Sequence, residues 1–255
     1  MMVASTGWFV DEPLAAFVGL ARSAGLNFGF LLDSYERPIW NEGLITTLLL
    51  VLCSIPVSLV GGALFAAALA SSRPWLVWPT RAFIEITRNT PTLVQLYCAF
   101  MVLNMLVSQA LGGVERNPLT PFFWVVAVAG LHVAALHAES LRAGLEAVPL
   151  TTLEAALSLG FSRRELFWRL ELPLALRVAL PSITNNLVNL VKLTSIGSAI
   201  AVGEIVYASI MIWTAHDNVI ELMVLILAVF GGLNLLVSLT GRWLERQLRV
   251  PGHGV

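Results

Sequence analysis

Long apolar runs broken by short polar punctuation dominate the chain, and five of them are long enough for a helix to cross a hydrocarbon core, which takes about 20 residues. They fall at about 43–70, 92–111, 121–138, 187–213 and 219–240. The first carries Pro56 and the pair Gly61-Gly62, marks of a kinked or closely packed span whose freed backbone groups neighbouring helices satisfy. Over 14–30, Leu14, Phe17, Val18, Ala21 and Phe28 recur at roughly helical spacing while Arg22 and Asn27 interrupt them. That pattern predicts an interfacial segment, with an extra span as the alternative. Asp11 and Glu12 stand where a cleavable signal would need a basic stretch. The predicted fold class is therefore all-α, a polytopic membrane protein of about five transmembrane helices. Its expected divisions are a periplasmic or interfacial segment over 1–42, a transmembrane domain over 43–245 and a cytoplasmic tail over 246–255.

Composition agrees with the pattern: 57% of the 255 residues are hydrophobic, 12% are charged and the mean hydropathy is +0.81. Soluble chains are usually about 25% charged. A net charge of −1 leaves no basic footprint for nucleic acid. Cys53 and Cys98 lie inside apolar runs and read as small hydrophobic residues. Orientation comes from the basic residues, because cytoplasmic loops are enriched in Lys and Arg. Arg73, Arg81, Arg88, Arg142, Arg163, Arg164, Arg169, Arg177, Arg242, Arg246 and Arg249 fall on one side, against Arg22, Arg37 and Arg116 on the other. The richer side is the cytoplasm, which puts the N-terminus in the periplasm and the C-terminus in the cytoplasm.

The stretch between the third and fourth spans, about 139–181, is too long for a structureless connection, so it should hold helices of its own. Thr151 with Glu154 forms a possible capping box at the start of one, and Gly160 sits where a left-handed cap would end it. Ser162 with Glu165 opens a second, and Pro173 should close it. The expected unit is helix, glycine turn, helix. Leu153, Ala156 and Leu157 offer a small apolar face, with Leu166, Phe167 and Leu170 beside it. Such a face suits either a groove on a partner or packing against the protein's own spans.

Glu154-Ala155-Ala156, three residues, Gly160, nine residues, Leu170, one residue and Leu172-Pro173 resemble the EAA loop of membrane subunits of binding-protein-dependent ABC importers. Thr87 to Leu96 and Asn185 to Gly203 resemble the polar amino-acid branch of the same permeases, so the resemblance covers about residues 39–245. It implies that Glu154, Ala155, Ala156, Gly160 and Pro173 belong to a helical element seated in a cytoplasmic ATPase subunit, transmitting its closure to the spans. It also implies a second permease subunit, identical or homologous, two ABC ATPase subunits and a periplasmic solute-binding protein. The solute implied is a polar amino acid or a derivative, and the location is a bacterial inner membrane.

Polar groups inside spans usually face a bundle interior or a water-filled cavity, so they trace a candidate solute path. Ser182, Asn185, Asn189, Lys192 and Ser195 recur every three or four residues, on one helical stripe. Lys192, the one lysine in the chain, could meet a substrate carboxylate, pair with an acidic side chain elsewhere, or snorkel to the cytoplasmic interface, since it falls early in the expected span. Where the amino-acid branch often has Lys-Asp-Thr-Ser, this chain has Lys192-Leu193-Thr194-Ser195, without the acid. Arg88, Thr90 and Gln95 are further candidates for the path; Asn104 could join it or bond helix to helix, and Glu204 could be a gate or a packing partner. His132 and His137 are five apart, about 140° around a helix, and present no common metal face.

ATP binding would require a Gly-rich phosphate loop ending in Gly-Lys-Ser/Thr. Lys192 lies between Val191 and Leu193, so ATP and Mg belong on a partner and no cofactor is expected in this chain. No constellation with catalytic spacing stands out, which disfavours a membrane-embedded enzyme. The alternative from another class is a secondary transporter driven by an ion gradient, which often shows internal repeats that are not evident here.

Overall fold

The computed structural model describes residues 8–248, and every regular element among them is helical. Residues 1–7, Arg249 and the rest of the C-terminal tail lie outside the described residues, as does the side chain of Asp11. In chain order the helices are α1 (Trp8–Ser23), α2 (Glu36–Leu69), α3 (Pro74–Asn89) and α4 (Thr92–Ala110). Then come α5 (Pro121–Glu146), α6 (Leu150–Ser158), α7 (Arg163–Ile200), α8 (Ile205–His216) and α9 (Val219–Gln247). Five of them, α2, α4, α5, α7 and α9, are long and apolar enough to cross a membrane.

α5 is the central post, packed chiefly against α2 and α7. Thr120 caps it by accepting from Phe123 N, and Pro121 occupies its first turn, where a missing N–H costs nothing. Small residues on α5 let backbones approach closely, which is how helices associate when lipid offers no hydrophobic contrast. A Cβ on Gly144 would run into the carbonyl of Ala175, and one on Gly62 of α2 would meet the Cβ of His137. Leu50, Leu96, Trp124, Val125 and Ile200 make one core cluster, and Ala129, Val133 and Leu190 another. α1, 16 residues long, packs on the bundle: its Val18 and Ala21 lie with Phe28 and Phe30 against Ile212 and Leu222, while Phe17 and Leu20 stay exposed. The backbone N–H of Asn27 ties this segment to Glu221.

Several expected boundaries move. α2 starts at Glu36 and runs 34 residues, through Pro56 without a break in the helix. α5 continues past 138 to Glu146, because Arg142 bonds Glu139 and Glu146 on the helix itself and keeps the charged turns helical. The largest correction concerns the fourth span, expected at 187–213. α7 begins at Arg163 and ends at Ile200, and the chain then breaks at Ala201, φ +58°, before α8. Pro173 does not close a helix: α7 passes through it by opening into a π-helical turn at Phe167–Glu171. A wider turn relieves the clash of the ring with the carbonyl four residues back, and no N–H is needed there.

Candidate functional site

The connection between α5 and α7 is a short helix and a sharp turn. Pro149 stands at the N-terminus of α6 with extended backbone, and the Thr151–Glu154 box does not form, because the helix has already begun at Leu150. The glycine turn forms as expected: Gly160 has φ +88°, its N–H bonds Leu157 O at 3.0 Å and Phe161 N bonds Ala156 O at 3.2 Å. These two bonds close a Schellman motif. The Ser162–Glu165 box is complete in both directions at the start of α7. Its Glu165 carboxyl is held below the usual range first by the Ser162 hydroxyl, then by the Ser162 backbone N–H, with Arg169 adding to it.

The apolar face read from the sequence turns inward: Ala156 and Leu166 are buried and Leu153 and Leu157 half-buried. The rest of α6 and its C-terminal cap stay open: Leu150 is 74% exposed and Leu159, just past the helix, 79%, with Thr151, Glu154 and Ala155 exposed as well. The inward face thus settles on the protein, leaving a separate outward surface. Gly160 is exposed and Pro173 lies half-buried at the start of the long span.

On α7, Asn185 and Lys192 are exposed along one side, with Asn189 and Ser195 partly so. Ser182 shares a hydrogen bond of 2.7 Å with Ser140 of α5, and Asn186 donates to the same hydroxyl at 3.1 Å. Thr194 is fully buried and donates to Val191 O, facing the bundle rather than the open side. Lys192 lies 20 residues beyond Leu172, about 30 Å along the helix, so it does not snorkel to the end near α6. The early placement of Lys192 failed with the boundary it rested on.

Arg88, Thr90 and Gln95 gather at a neighbouring face of α5, where Gln95 meets His132 and Arg88 meets Glu139. Thr90 is extended ahead of Pro91, ending α3. Gln95 Nε2 then donates to Thr87 O and Thr90 Oγ1, both at 2.7 Å, while its Oε1 lies 3.3 Å from His132 Nδ1. Arg88 is 3.6 Å from Glu139, the neighbour of Ser140 and about 100° from it around α5, so the two groups of candidates meet adjacent faces of that helix. Asn104 bonds helix to helix, accepting from Trp124 Nε1 at 2.9 Å and Asn117 Nδ2 at 2.8 Å. Glu204 is fully buried and caps α8, accepting from Val206 N and Tyr207 N, while Thr47 of α2 accepts from Ile205 N. Glu rarely caps, so sequence reasoning missed this role; Asn186 was missed because it sits beside the stripe, not on it.

No cluster of metal-ligating side chains occurs among the described residues, and Lys192 sits inside a helix with no Gly-rich loop before it.

A five-span bundle with an exposed helical loop between its third and fourth spans, and a polar stripe open on one helix, has the architecture of a transport permease. The chain belongs to the family described as "Binding-protein-dependent transport system inner membrane component", which matches residues 58–250. It is the transport subunit of an ABC importer, not an enzyme, and the ATPase is a separate subunit. It is 36% identical over 168 residues to the octopine transport system permease protein OccM of Rhizobium meliloti, a match spanning 64% of this chain and 66% of that one. It is 28% identical to the probable amino-acid ABC transporter permease protein PatM of Vibrio harveyi, covering 88% of this chain and 97% of that one. The arginine transport system permease protein ArtQ of Bacillus subtilis is 27% identical, over 88% and 99%. Among solved structures, an amino acid ABC transporter crystallised with histidines superposes with a TM-score of 0.71 at 26% identity, over 86% of this chain and 98% of that one. The MetNI methionine ABC transporter, TM-score 0.65 at 18% identity over 86% and 100%, shares the fold.

Proposed function

We propose that this chain forms one half of the path by which a polar amino acid or a derivative crosses a bacterial inner membrane. It works with a second permease subunit, identical or homologous, two ATPase subunits that carry ATP and Mg, and a periplasmic binding protein that delivers the solute. The observation that carries the reading is the solvent-open surface of α6 and of the cap that follows it, where Leu150, Glu154, Ala155 and Leu159 stand exposed. Glu154, Ala155 and Ala156, turned back at Gly160 and joined to the span at Pro173, couple the ATPase to the bundle. Because α7 is continuous from Arg163 to Ile200, a push on α6 is delivered to a helix that reaches across the membrane. ATP binding draws the ATPases together, the paired loops follow, and the spans exchange which side they open. The core runs over about residues 43–245, the loop lies within about 139–181, the N-terminal segment is periplasmic and the tail over 246–255 is cytoplasmic.

Asn185, Asn189, Lys192 and Ser195 line the path on one wall, with Thr194 bracing it from inside and Arg88, Thr90 and Gln95 shaping its adjoining side. Lys192 meets the solute carboxylate, a charge shared by octopine and arginine, the solutes in the names of two of the relatives. The test is affinity purification of the tagged chain from its native membrane, with identification of what accompanies it. Recovery of an ATPase, lost on deleting residues 151–173, is the expected result. Unchanged recovery after that deletion overturns the coupling role.

A further inference from the structure

Beyond the transport role, a charged cleft of about 640 Å³ opens between α3 and α5 over an apolar floor that includes Ala66 and Ile84. Arg81, Glu85 and Arg88 of α3 line one wall and Glu139, Arg142 and Glu146 of α5 the other. The charges sum to zero, yet they are not equally engaged. Arg142 is saturated, 2.9 Å from Glu139 and 2.6 Å from Glu146, and Arg88 leans on Glu139 at 3.6 Å. Arg81 has no ion pair among the described residues, and Glu85 meets only the Asn89 side-chain amide, at 3.4 Å. They stand one turn apart with the cation N-terminal to the acid, the less favourable order for a pair within one helix. The cleft therefore presents one open cation beside one open carboxylate.

The rest of α3 says what kind of ligand fits. At about 100° per residue, Trp75, Trp78 and Ile86 form a stripe adjoining the Arg81–Glu85–Arg88 stripe, while Ile84 and Thr87 face inward. Trp75, Trp78 and Ile86 are 66%, 73% and 65% exposed. Tryptophans on an amphipathic helix at the ends of spans mark the level of lipid headgroups. We infer that this cleft binds the headgroup of a phospholipid carrying a primary ammonium, phosphatidylethanolamine, with the phosphate on Arg81 and the ammonium donating to Glu85. The acyl chains then lie along the tryptophan stripe. Phosphatidylglycerol offers Glu85 no cation, and the quaternary ammonium of phosphatidylcholine has no N–H to donate.

The inference rests on the membrane reading of the fold, and its readout, lipid retention, does not depend on transport. The full chain, co-purified with its ATPase, is exchanged into nanodiscs of equal parts phosphatidylethanolamine, phosphatidylglycerol and phosphatidylcholine, and tightly held lipid is counted by native mass spectrometry. Phosphatidylethanolamine should be retained over the other two. Arg81→Gln and Glu85→Gln should each lower that retention at least about tenfold, the loss expected for one charged hydrogen bond. Both residues are exposed, so neither change threatens the fold, and Arg116→Gln, outside the cleft, should retain lipid as the parent does. Equal retention of the three lipids, insensitivity to both substitutions, or displacement of the lipid by free arginine or glutamate would each overturn the assignment.

Discussion

Asn104 illustrates how a polar residue within a span is settled by its neighbours. Its side-chain oxygen takes one hydrogen bond from α5, through Trp124, and one from Asn117 of the connecting loop, so it is a fastener between elements. Replacing it with alanine leaves the Trp124 N–H without that acceptor, and should cost about 1–2 kcal/mol, read as a lower unfolding temperature in detergent. A change within error would mean water or lipid satisfies these groups equally well. At Gly160, φ +88° forces any side chain into a left-handed conformation, so Gly160→Ala should cost about 1 kcal/mol in the turn and reduce recovery of the ATPase. Undiminished recovery would show that the turn has no part in docking. Glu165 gives a pH signature. Its folded pKa lies below the unfolded value, so its support for the first turn of α7 is present above the ordinary carboxylate range and lost as pH falls through the depressed value. Protection factors at the Glu165 and Leu166 amides, corrected for the intrinsic pH dependence of exchange, should fall across that acid window, and Glu165→Gln should abolish that fall; an unchanged profile in that variant would refute it. Gly160 and the Ser162–Glu165 box were legible because each is a local rule of one turn. The roles of Glu204 and Asn186 were not, since both depend on partners distant in the chain or on a rare cap.

At the scale of elements, hydrophobic length found every span but misplaced ends where a local rule was overridden. α4 and α5 begin at Thr92 and Pro121, where apolar length placed them. Pro173 was read as a stop, and the π turn before it made it a passage. Apolar length alone started the fourth span too late, which put Lys192 near the wrong end of its helix, and it ran past the break at Ala201, which joined α8 to that span. Helix contact is the quantity most open to test here. Gly144→Val would press a branched side chain on the Ala175 carbonyl and should weaken the α5–α7 seam by about 1–3 kcal/mol, measured by thermal unfolding. An unaltered midpoint would mean that α5 and α7 do not meet at Gly144.

At the scale of the whole molecule, the all-α, five-span architecture followed from hydropathy, whereas the direction of transport and the need for partners came from resemblance and family membership. Physics contributes the division of labour: a continuous α7 joins the exposed loop to the polar stripe. The most direct measurement is solute uptake into proteoliposomes holding this chain and its second permease subunit, with the ATPase and binding protein added or withheld. Uptake of the solute held by the binding protein should require ATP and both added components, and should vanish when residues 151–173 are deleted. Accumulation by the permease alone, driven by an ion gradient, would contradict the account.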